Sequence, residues 1–233
     1  MKIRSPFAWA LVASLLVLLV ALAPLLWQML NPGAAPRARP GDLPAPWVIE
    51  RSKTGVVSAF GLQVPGATLA DAMQRWGDDL QLAVIESRGL GPALEAYVER
   101  WIGGGIVGKL VLATDVAPEI LARWRERSPR RQVIDAQAQR WALHRDDLAL
   151  ALRMPIVGLS FLPASRIDKA LLSARFGAPA EDRPGDGSVH HWLYPDRGLA
   201  IAWDESSGKA VMQVVAIADF DRRLRAPLLA PAR

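Results

Sequence analysis

From Phe7 to Leu30 the chain carries no charged residue, and most positions are Leu, Ala or Val. As a helix rising about 1.5 Å per residue, such a stretch matches a hydrocarbon layer about 30 Å thick. Lys2 and Arg4 precede it, Trp9 and Trp27 stand near its two ends, and Asn31-Pro32-Gly33 stops it. Amphipathic rings favour the two interfaces of a bilayer, so the pattern predicts a single-pass transmembrane anchor helix over 7–30. A cleaved leader is the competing reading, but leaders have apolar cores of only about 7–15 residues. The one small-x-small site, Ala21-Leu22-Ala23, is followed directly by Pro24, a poor residue after a cut.

The basic head, residues 1–6, is expected to stay in the cytoplasm, although Arg37 and Arg39 nearly balance it on the far side. The expected location is therefore the inner (cytoplasmic) membrane, with the rest of the chain in the periplasm. Residues 31–46 are rich in proline and alanine and read as a semi-stiff linker. Residues 47–233 remain for a folded domain, enough for a proper core. The absence of cysteine removes disulfides, thiolate nucleophiles and Cys-ligated metal centres.

The formal charge is +5, but the arginines are spread among acids. The densest patch is Arg123, Arg125, Arg127, Arg130 and Arg131, at the end of an expected helix where cations suit the helix dipole. That pattern argues against nucleic acid as a partner. It leaves membrane lipid, met by the anchor, and an envelope protein as the partners expected.

Beyond the linker, strand and helix patterns alternate. Trp47–Glu50, Val56–Val64, Leu82–Ile85, Val107–Ala113 and Ile156–Leu162 read as strands. Helical spacing places Leu69, Ala72, Met73 and Trp76 on one face, then Leu94, Tyr97, Val98 and Trp101, then Ile120, Leu121 and Trp124. Asp146 and Asp147 open a fourth helix, and Ser165 a fifth that runs to Phe176. Three strands close the chain as a meander, Val189–Tyr194, Leu199–Trp203 and Ala210–Val215. The expected fold class is α+β: the anchor helix, then helices packed on a mainly antiparallel sheet.

Two segments echo one another. Thr68-Leu69-Ala70-Asp71 leads to Arg75-Trp76-Gly77, and Ser165-Arg166-Ile167-Asp168 leads to Arg175-Phe176-Gly177. Each pairs a hydroxyl with an acid three residues on, as a capping box does, and ends in Gly. The echo divides the domain into candidate halves, 47–130 and 131–233. In the second copy Phe176-Gly177-Ala178-Pro179 is followed by His191-Trp192-Leu193-Tyr194-Pro195 and further strands. Ser165 to Phe220 is thereby similar to the small outer-membrane assembly lipoproteins of the SmpA/OmlA type, whose fold resembles the β-lactamase inhibitor proteins. This chain departs from that family in having an anchor stretch, no lipidation cysteine and a large N-terminal half. The resemblance implies a non-catalytic, protein-binding module of the cell envelope.

No chemical motif points elsewhere. Gly103-Gly104-Gly105-Ile106-Val107-Gly108-Lys109 fits the spacing of a phosphate loop, but Leu110 replaces the magnesium-binding hydroxyl. Its expected order of helix, loop and strand is also the reverse of a phosphate cradle, so no nucleotide and no cofactor is expected. His190 and His191 are adjacent on a strand and point to opposite faces, which argues against a shared metal. No serine stands in a Gly-x-Ser-x-Gly elbow. Glu95 with Glu99 reads as a pair on a helix flank. The expected interaction surface comprises Trp192, Tyr194 and His191, with Arg123 and Arg127. The alternative is a membrane-tethered hydrolase using His191 and an Asp.

Overall fold

The computed structural model describes residues 43–87, 91–134 and 138–229. The expected anchor, Phe7–Leu30, and most of the expected linker lie outside them. Among the described residues no helix is long and apolar enough to cross a membrane. Across the described residues the architecture is not the expected mixed domain of helices packed on a sheet. It is a ten-stranded sheet, antiparallel at every pairing, with a few short helices and a separate three-stranded sheet.

The small sheet is β1 (Glu50–Arg51), β2 (Val57–Ala59) and β3 (Leu62–Val64). The large sheet contains β4 (Leu80–Ser87), β5 (Gly91–Gly103), β6 (Ile106–Thr114), β7 (Arg131–Val133), β8 (Ala138–Ala142), β9 (Ile156–Pro163), β10 (Glu181–Pro184), β11 (Val189–Tyr194), β12 (Leu199–Asp204) and β13 (Ala210–Val215). Its order is β10-β11-β12-β13-β9-β6-β5-β4-β8-β7. Two meanders, β4–β6 and β11–β13, thus flank the late strand β9. β7 and β8 pair beyond β4, so the sheet does not divide at residue 130.

The helices are α1 (Leu69–Trp76), α2 (Pro118–Glu126), α3 (Arg145–Ala151), α4 (Lys169–Phe176) and α5 (Ala226–Leu229). Thr68 caps α1 in a full capping box with Asp71. The expected second box fails. Ile167 N–H donates to Gly208 and its carbonyl accepts the Trp203 indole N–H, so the chain stays extended there and Asp168 caps α4 instead.

Leu94–Trp101, expected as a helix, is part of β5. Leu94, Ala96 and Val98 alternate inward, and a register shift between Val98 and Trp101 returns Trp101 to the same buried face. The irregularity leaves buried residues at 94, 98 and 101, which is the spacing of one helix face. The glycine run is corrected likewise. It is a strand–turn–strand hairpin with Gly104 and Gly105 both at positive φ, as a type I′ turn requires.

One face of the large sheet packs against α1 to α4 and the small sheet in a continuous core. Its centre is an aromatic cluster. Phe60 and Trp101 meet edge to face at 5.5 Å, and Trp101 and Phe161 at 5.0 Å. Phe60 sits in the β2–β3 turn at φ 53°, a left-handed conformation costing about 1–2 kcal/mol. Full burial of its ring, worth about 1.5–3 kcal/mol, offsets that cost. Gly108 lies under Phe161, where a Cβ would stand 2.5 Å from both the ring and the Leu162 carbonyl oxygen. Packing begins by Leu43, which is buried and accepts the Gly104 N–H, before the expected start at Trp47.

Trp101→Ala should cost about 3–5 kcal/mol of unfolding free energy by chemical denaturation. Gly108→Ala should also destabilise, and adding Phe161→Leu should recover part of the loss if the ring contact is the cause.

Candidate functional site

Because strand side chains alternate, the large sheet has a second face. At one end Leu193, Ala200 and Val215 bury Phe220 and Leu224 of the C-terminal segment. That segment, a 3-10 turn over Ile217–Asp219 and a π turn over Asp221–Arg225 leading into α5, was not anticipated. Arg225 ties it to Glu181, and Arg223 ties it to Asp115. Arg183 and Arg225 hold the Glu181 carboxyl below its ordinary pKa, Arg183 with the larger effect.

Beyond this cover the face is partly exposed. Gln213, Ser160, Val111, Tyr97 and Gln81 stand in register across five strands. Beside them run Gly158, Ala113, Glu95, Ala83 and Ala142, mostly small residues. Gln213, Ala113 and Gln81 are exposed although their strands are interior to the sheet.

One polar cluster is organised on this face. The Tyr97 hydroxyl donates to Gln81 Oε1 at 2.7 Å, and Arg140 Nη2 donates to the same oxygen at 3.1 Å. Lys109 Nζ lies 4.3 Å from the Tyr97 ring centre and 3.0 Å from the Glu99 carboxylate. Arg140 also stacks over the ring, at 5.4 Å. Each exposed cation–ring contact contributes about 0.5–1 kcal/mol. The result is a fixed aromatic edge with two cations beside it, suited to recognising a surface rather than enclosing a small molecule.

Glu95 stands between Ala83 and Ala113. Burial pushes its pKa up, and Lys109 opposes the shift. Glu95 and Glu99 share a strand face, not the expected helix flank. A raised carboxyl favours the fold below the unfolded pKa, near 4.5, and this advantage is lost as pH rises through the folded value. Glu95→Gln should therefore raise the melting temperature at pH 7, and the gain should disappear below about pH 4.

The expected interaction residues do not meet. Trp192 and Tyr194 are 2% and 3% exposed and belong to the core. The Tyr194 hydroxyl donates to the Gly177 carbonyl at 3.0 Å, and burial pushes its pKa up to about 12. His191 is on the second face, opposite Ala202. Burial lowers its pKa, against an opposing pull from Asp186. Arg123 is exposed on α2, a helix of the core side. Arg127 is committed to Asp147 at 3.1 Å and Asp146 at 3.4 Å, and Asp147 is buried. Arg127→Ala would leave that carboxylate unpaired and should cost about 1–3 kcal/mol by denaturation.

For the hydrolase alternative, the carboxylate partner lies on the wrong histidine. Asp182 is 3.1 Å from His190, which points to the core face, while His191 points to the other. Among the described residues no group of three His, Cys, Asp or Glu side chains has metal-binding geometry. A shallow groove of about 450 Å³ lies between the start of β5 and the start of α2, and its one charged lining residue is Asp115.

Sequence reasoning missed Tyr97, Gln81, Lys109 and Arg140. The usable signal was Glu95, Tyr97 and Glu99 alternating with Leu94, Ala96 and Val98, a strand pattern with one polar face. No family model, curated protein or solved structure matches the chain.

Proposed function

We propose that this chain is a non-catalytic binding protein of the bacterial cell envelope. The uncharged stretch 7–30 holds it at the inner membrane, and its domain binds another envelope protein on the periplasmic side. The observation that carries the reading is the second face, where Tyr97 is held between two cations in a surface that also exposes Gln81, Gln213 and Ala113. Tyrosine and arginine are among the residue types enriched at protein-binding hot spots. The resemblance of Ser165–Phe220 to envelope assembly lipoproteins supports the same reading.

Photo-crosslinking amino acids at Gln213 and Ala113 in living cells test this, with exposed Glu126 on α2 as the control position. The second-face positions should give one discrete protein adduct, weakened several-fold by Tyr97→Ala, and the control should give none. Equal labelling from all three positions, or no adduct from any, would overturn the reading.

A further inference from the structure

The ten-stranded sheet has two edges, and among the described residues only one of them is protected. At the β10 edge, Gly185 N–H donates to Val189, so odd-numbered residues face β11 and Asp182 and Pro184 face outward. Pro184 has no N–H to offer, and Asp182 is held by His190. Proline and charge at outward positions are how edge strands avoid pairing.

The β7 edge is built differently. Ile134 N–H donates to Ala138, and Ala142 N–H donates to Arg130. These ladder bonds turn the backbone of residues 130, 132 and 134 toward β8, and that of Arg131 and Val133 outward. Two N–H groups and two carbonyls therefore face away from the sheet. Val133 is 62% exposed and Ile134 53%, two apolar β-branched side chains on opposite faces of the same edge. Arg127 is taken up by Asp146 and Asp147, which leaves Arg130 and Arg131, both exposed, as the cations of this edge. Arg131 lies on the Trp141 side of the sheet, with its guanidinium 5.2 Å from the centre of that ring.

We infer that β7 is a docking edge that adds a strand from a partner, an extended segment carrying acidic residues beside apolar ones. This rests on the reading of the protein as an envelope binding domain and names a recognition mode for it. Outward N–H and carbonyl groups supply main-chain pairing. Val133 and Ile134 supply apolar contact, and the arginines select acidic side chains. A second copy of the chain fits less well, because antiparallel pairing of two β7 strands would bring Arg130 and Arg131 of each copy close to those of the other.

The probe is a seven-residue peptide alternating glutamate and valine, titrated into the full chain in detergent. A peptide with lysine in place of glutamate is the control. The acidic peptide should shift the backbone amide resonances of Arg131 and Val133. Its affinity should fall with salt and drop at least tenfold in Val133→Pro, which removes one outward N–H and no β8 ladder bond. The double reversal Arg130→Glu with Arg131→Glu should weaken binding comparably. It decides the matter if the proline variant does not fold. Equal affinity for both peptides, unmoved Arg131 and Val133 amides, or full binding by the charge-reversed protein would overturn the inference. So would self-association by sedimentation that charge reversal strengthens, since that assigns the edge to a second copy. If the second-face adduct persists in a folded Val133→Pro protein that has lost the peptide, the edge is separate from that face. If the adduct is absent while the peptide still binds the edge, only the reading of the second face fails.

Discussion

The architecture depends on three rings meeting where the chain has no freedom to rearrange them. Phe60, Trp101 and Phe161 come from a turn, a strand irregularity and a central strand, and each is fully buried. The turn holds Phe60 in a left-handed conformation, the irregularity restores Trp101 to the core face, and Gly108 leaves space beneath Phe161. The local costs are each of order 1 kcal/mol and are offset by burial of large rings. Through this contact the small sheet and the large one share one core, which fixes the opposite face of the large sheet as the partly exposed one.

Legibility in the sequence followed burial. The closing strands β11 to β13 coincide with their expected segments because interior strands of a half-buried sheet leave a clear apolar run between turn residues. β5 was misread because its irregularity converts a period of two into helix-like spacing. β2 and β3 were merged because Phe60 hides a turn behind a core residue. The fold is accordingly a large sheet with α1 to α4 on its core face and the C-terminal segment on the other, not a set of helices supported by a sheet.

The site was less legible than the fold, and for a related reason. Trp192 and Tyr194 are the residue types found at hot spots, but strand alternation places them with Ile201 and Leu199 in the core. Tyr97, the aromatic that does reach the surface, was assigned inward along with the rest of β5. The Arg127 side chain neutralises a buried aspartate at the start of α3, so a cation read as binding surface is structural. Which cations remain available depends on pairings between segments distant in sequence, and local patterning does not show them.

The position of β9 has a kinetic meaning. It lies between two meanders, pairing β6 on one side and β13 on the other, yet it follows one in sequence and precedes the other. During synthesis the first meander emerges with β6 as an unpaired edge. It stays so until Ile156–Pro163 arrives, and β9 in turn stays open until Ala210–Val215 does. Non-local pairings of this kind slow folding and leave intermediates with sticky edges. The order of the strands therefore sets when this protein is most exposed to aggregation: in the interval before its last strand is delivered.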